Sequence, residues 1–222
     1  MKNNKNNKNN ITELVFILDR SGSMHGLESD TLGGFNSMLE KQKAVEGKAY
    51  VSTILFNDSS VVVHDRRNIK AVEPMTPAQY QVGGCTALLD AIGGAIHHMG
   101  NVHKYARRED VPGKTLFVII TDGMENASRR YTLQMVKDMI CRQQKKYGWE
   151  FLFLGANIDA ISAAGSLGIE RDRAVKFCCD EEGTALNYEA IGAAVAHMRT
   201  HASIPASWKH DIEADEAARG RR

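Results

Sequence analysis

The chain has 222 residues, 43% of them hydrophobic and 25% charged, an ordinary globular composition with apolar material for one domain and little room for a second. Its 28 lysines and arginines face 27 acids, so no net field draws the whole molecule to nucleic acid or to an anionic membrane, and binding must come from a local site. No apolar run approaches the roughly 20 residues that span a bilayer, the start lacks a signal peptide's apolar core, and the cytoplasm is the expected compartment.

Met1 to Asn10 repeats Lys-Asn-Asn and is too polar to order itself by burial, so a disordered tail is expected ahead of a domain over residues 11–201. Leu14 to Leu18 is an apolar run closed by Asp19-Arg20-Ser21-Gly22-Ser23, which predicts a strand buried on both faces with a polar loop at its exit. Leu27, Thr31, Leu32, Phe35, Met38 and Leu39 share one helical face, predicting a helix from about Gly26 to Ala44. Tyr50 to Phe56 and Ser60 to Asp65, split by Asn57-Asp58-Ser59, predict an antiparallel hairpin whose Val61-Val62-Val63 strand is a sheet edge. Pro74 and Pro77 mark a loop into Gly83-Gly84. Thr86 then heads a helix carrying Leu88, Leu89, Ile92, Ile96 and Met99, where its hydroxyl is placed to cap backbone donors.

Leu116 to Thr121 repeats the logic of the first strand, an apolar run ending in Asp122-Gly123. A helix follows from about Tyr131 to Lys146, with Leu133, Val136, Met139 and Ile140 expected inward. Phe151 to Leu154 and Ala174 to Phe177 read as further strands, Ile158 to Leu167 as a short helix, and Thr184 to His201 as a final one. Strands alternating with helices predict a doubly wound α/β sheet, mostly parallel, with one antiparallel edge strand and helices on both faces. Residues 202–222 turn charged and are expected as a frayed tail. Cys85, Cys141, Cys178 and Cys179 have neither zinc-site spacing nor the density of a disulfide framework, and reduced thiols are expected.

The chemistry gathers in three segments: Asp19-x-Ser21-x-Ser23, Thr86 after Gly83-Gly84, and Asp122-Gly123. Carboxylates and hydroxyls at strand exits are hard oxygen donors suited to Mg²⁺, Mn²⁺ or Ca²⁺. Asp19, Ser21, Ser23, Thr86 and Asp122 together resemble the metal-ion-dependent adhesion site (MIDAS) of von Willebrand factor type A (vWA) domains, the family that includes the integrin inserted domains. All five motif positions match, and the resemblance extends from about Ile11 to His201. It implies a Rossmann-like fold and a metal held by these five residues. It also implies a non-enzymatic role in which an acidic residue of a protein partner completes the metal's shell.

Charge arithmetic agrees with that role. Three hydroxyls are neutral, so Asp19 and Asp122 at most cancel a divalent ion, which keeps waters and a replaceable position. Glu125, Asn126 and His25 stand close enough in sequence to line the rim and select the partner. Intracellular relatives of the family often work with AAA-class ATPases, which the resemblance implies as a partner class; nucleic acid and membrane are not expected. It further implies that the helix at Thr184 to His201 shifts when ligand binds.

The alternative is a metal-assisted phosphohydrolase, since aspartate at a strand end beside Mg²⁺ also begins haloacid-dehalogenase-like phosphatases. Those carry a second aspartate where this chain has Ser21, so the usual acid/base partner is missing. A Ser-His-Asp triad through His25 is disfavoured by the missing Gly-x-Ser-x-Gly elbow.

Overall fold

The computed structural model describes residues 10–156, 158–201 and 203–219, so the tail expected over residues 1–10 lies, apart from Asn10, outside the described residues. Every residue of β1 (Ile11–Asp19) is buried, as a run of alternating large apolar side chains demands when both faces of a strand are covered. It pairs in parallel with β2 (Lys48–Phe56) on one side and β4 (Lys114–Thr121) on the other. β3 (Ser60–Asn68) runs antiparallel to β2 at one edge, and β5 (Glu150–Gly155) and β6 (Ala174–Lys176) extend the other, giving the order β3-β2-β1-β4-β5-β6.

The pleat divides the core in two. Leu14, Phe16 and Leu18 face one layer with Leu116, Val118 and Ile120 of β4; there they meet α1 (Glu28–Lys43) and α5 (Glu181–Thr200). Val15 and Ile17 face the other, with Phe117 and Ile119, against α2 (Leu88–Tyr105), α3 (Leu133–Tyr147) and α4 (Ala160–Ser166). Phe16 sits edge-on to Phe35 of α1 at 5.3 Å between ring centres, and deleting such a ring costs about 3–5 kcal/mol.

The chain leaves β1 toward β2 on one side and returns from β3 through α2 to β4 on the other. That reversal opens a crevice between the carboxyl ends of β1 and β4, where doubly wound sheets bind ligands. Asp19 is the last residue of β1, and Asp122 follows the last residue of β4.

Three expectations are corrected. Pro205 onward is not frayed: residues 206–209 form a 3-10 turn leading into α6 (His210–Arg219). Ile204, Trp208 and Ile212, four residues apart, bury one stripe in the core, and the Trp208 Nε1–H donates to the Asp172 carbonyl at 2.8 Å. Leu133 is 46% exposed, because α3 turns only Val136 and Ile140 fully inward. α1 begins at Glu28 rather than Gly26, whose φ of +92° belongs to the preceding loop.

Candidate metal centre

Two backbone bonds lock the first two loops together: Gly83 N–H donates to the Arg20 carbonyl at 2.9 Å, and Gly22 N–H to the Gly84 carbonyl at 3.0 Å. Gly84 has φ +82°, and a Cβ there would run into the Asp58 carboxylate, so this crossing requires glycine. The second and third loops are joined by Asn126. Its side-chain oxygen accepts from Thr86 N–H at 2.9 Å, and its N–H donates to the Thr86 carbonyl at 3.0 Å.

These ties bring the five predicted residues together. Asp19 Oδ1 accepts from Ser21 N–H at 2.7 Å, Ser21 Oγ lies 3.1 Å from Ser23 Oγ, and Ser23 Oγ donates to Asp122 Oδ1 at 2.5 Å. Thr86 closes the group: a Cβ built on Gly123 would stand 3.2 Å from Thr86 Oγ1 and 3.4 Å from Ser23 Oγ, so both hydroxyls reach one point. Asp19, Ser21, Thr86 and Asp122 are buried while Ser23 is exposed, leaving the cluster open to solvent on its Ser23 side.

Burial pushes the Asp19 carboxyl above the usual carboxylate range, against the lowering pull of hydrogen bonds from Ser21 and Thr121. Burial likewise pushes Asp122 up, opposed by the Ser23 hydroxyl. Among the described residues neither of them forms an ion pair with a basic side chain, and hydrogen bonds are what lower them. Two desolvated carboxylates linked through the hydroxyls of Ser21 and Ser23, without an ion-pair partner of their own, suit a hard divalent cation in charge and donor type. Among those residues no three His, Cys, Asp or Glu side chains gather for a metal, so this centre relies on hydroxyls for three of its five donors.

Of the residues expected at the rim, Asn126 and His25 are exposed and Glu125 is half-buried. Glu125 is a clip: Oε1 accepts from the N–H groups of Ala127 and Ser128, and Oε2 from Leu89 N–H at 2.8 Å, at the head of α2. Thr86 does not cap that helix; Ala87 occupies the cap position, and Glu125 and Ser128 supply the acceptors. The His25 side chain is 87% exposed and faces Glu28 at 3.2 Å, away from a triad.

Sequence reasoning missed three neighbours. Thr121 Oγ1 donates to Asp19 Oδ2 at 2.6 Å, the Tyr80 hydroxyl donates to the Asp19 carbonyl at 2.5 Å, and Cys179 Sγ lies 3.8 Å from Asp122 Oδ2. Thr121 was legible as the last residue of its strand; nothing in the sequence distinguishes Tyr80 or Cys179. All four cysteines are free thiols.

Comparison by sequence finds no matching family model and no matching curated protein. Comparison by structure does. Proximal thread matrix protein 1 from the mussel byssus superposes with a TM-score of 0.56 at 13% identity, over 85% of this chain and 47% of that one. The von Willebrand factor type A structure from Catenulispora acidiphila gives 0.55 at 14%, over 85% and 43%. The vWF domain of the type V pili tip protein Mfa5 from Porphyromonas gingivalis gives 0.59 at 9%, over 87% and 98%. The fold is that of vWA domains. The chain spans under half the length of the first two solved chains, and at these identities the likeness is one of fold. One vWA relative by fold, the byssus protein, is also known with zinc in its MIDAS motif.

Proposed function

We propose that this vWA fold is a protein-binding module whose partner docks through a divalent cation, Mg²⁺ or else Mn²⁺ or Ca²⁺, held by Asp19, Ser21, Ser23, Thr86 and Asp122. The observation that carries the reading is the pair of buried carboxylates linked through serine hydroxyls, neither of them in an ion pair with a basic side chain among the described residues. The bound ion would supply an electrophilic position for an anionic oxygen from outside. The residues of this chain do the rest: the two aspartates balance charge, and the three hydroxyls hold donors in place without adding charge. Glu125 and Asn126 fix the second and third loops on either side of Thr86.

A carboxylate is the fitting partner group, since it brings one negative charge to an ion that Asp19 and Asp122 only just neutralise. The exposed Ser23 side is the way in. A protein partner working in the cytoplasm, such as an AAA-class ATPase or another complex subunit, is the class we infer; no helix among the described residues is long and apolar enough to cross a membrane.

Titration calorimetry with Mg²⁺ on the wild type and on Asp19→Ala tests the centre, and capture of partners in Mg²⁺ or EDTA tests the role. Heat from the wild type alone, and a partner retained only in Mg²⁺, are expected. Equal capture in EDTA would refute the reading. Phosphoester turnover lost in Asp19→Asn would favour a hydrolase instead.

A further inference from the structure

Between α2 and α3 a groove of about 890 Å³ runs from Tyr131, just ahead of α3, to the ends of both helices and the loop that enters β4. Its far end, at Pro112 and Gly113, is separated from Asp122 by the eight residues of β4, roughly 25 Å at about 3.3 Å each, while at its near end Tyr131 N–H donates to Asp90 Oδ1 in the first turn of α2. Lys104, Arg108, Arg142 and Lys146 line it, and none of its lining residues is Asp or Glu. Basic residues at helix C-termini ordinarily offset the helix dipoles. Two helix ends carry only about −1 charge between them, so Lys104, Arg142 and Lys146 by themselves leave a positive surplus.

The groove is also apolar and includes Tyr131, Met135, Met139 and the inward Trp149. Met135 and Leu133 remain 46% exposed on α3 and Tyr147 50% exposed at its end, more apolar surface than a solvated helix needs. Flexible methionines are suited to side chains of varied shape.

From this combination the geometry points to a second binding surface, independent of metal, that takes an acidic segment of a partner protein carrying apolar side chains between its carboxylates. Charge complementarity selects the acidic residues, and the Met135–Met139 floor selects the apolar ones. A nucleic-acid strand fits less well. Its bases need open aromatic faces, and here Lys104 lies over the Tyr105 ring at 4.9 Å and Lys146 over the Tyr147 ring at 5.2 Å. Gln143 Oε1, in the groove wall, has no hydrogen-bond partner among the described residues; a peptide N–H can supply one once the side chain turns, and a phosphodiester has no donor to offer.

The test is fluorescence anisotropy at low ionic strength with the intact protein and three labelled probes: a peptide alternating Glu and Leu, one alternating Lys and Leu, and oligodeoxythymidylate. The acidic peptide is expected to bind. Binding should weaken about tenfold or more in Arg142→Glu/Lys146→Glu, both on the exposed face of α3, and stay unchanged in Lys41→Glu/Lys43→Glu on α1. EDTA and Asp19→Ala should leave it unchanged, which separates this surface from the metal centre whatever that centre does. Failure of the acidic peptide to bind, indifference to the α3 reversals, tighter binding of the oligonucleotide, or loss of the peptide in EDTA would each overturn the proposal.

Discussion

β1 carries two buried carboxylates, and the structure treats them in opposite ways. Glu13, near its start, is fully buried with its counter-charge built in: Arg66 Nε donates to Oε2 at 2.8 Å, and His103 Nε2 stands 3.6 Å away. Asp19, at its end, is just as buried but is held only by a backbone N–H and neutral hydroxyls. A charge with an internal partner serves the fold; a charge kept in place without one leaves room for a cation from outside. The comparison separates two carboxylates that burial alone would rank as equals.

It can be broken most forcefully at the Glu13 end. Arg66→Ala strands a buried charge and should cost about 3–5 kcal/mol in urea unfolding, equally with and without Mg²⁺. At the other end, Mg²⁺ at a hundredfold its dissociation constant should stabilise the wild type by about 2.7 kcal/mol, and Asp19→Asn should abolish that gain. In EDTA the same variant should be no less stable than wild type, since it removes a charge that nothing offsets. Asp19→Asn behaving like Arg66→Ala would erase the distinction.

The pH dependence sharpens it further. Both site aspartates have carboxyl pKa values raised by burial, so the fold is penalised by their ionisation, and that penalty fades as pH falls through their folded values toward the ordinary range near 4. Protons then compete with the cation. The difference in melting temperature between Mg²⁺ and EDTA should therefore shrink as pH is lowered from neutral toward the ordinary carboxylate range near 4. His64, its pKa lowered by burial, costs stability as pH falls below about 6.5 in both buffers and cancels in that difference. The smallest effect is expected from Asn126→Ala, about 1 kcal/mol of stability, with Mg²⁺ affinity about tenfold weaker because Thr86 loses its tether.

What could be read in advance follows from how local the cause is. The runs Leu14 to Leu18 and Leu116 to Ile120 declare strands buried on both faces by composition alone, and the five oxygen donors stand where those strands and the Gly83-Gly84 turn end. The hairpin and its edge strand were equally legible from Asn57-Asp58-Ser59. The C-terminal segment was misread because terminal arginines and acids outweigh Ile204, Trp208 and Ile212, whose regular spacing only matters once α5 and β6 are there to receive them. Leu133 failed in the reverse sense: it keeps helical phase, yet no neighbouring element covers that end of α3. That Glu125 ties Leu89 to the third loop is not legible in the sequence, since which backbone donors lie 36 residues away is a tertiary fact.

The parallel pairing of β1 on both sides has a mechanical consequence. Its partners β2 and β4 hold it along almost its whole length, with the evenly spaced, slanted bonds of parallel pairs. A lengthwise pull on β1 against β2 and β4 loads those bonds together in shear instead of opening them one by one, so the strand bearing Asp19 is well anchored against sliding out of the sheet.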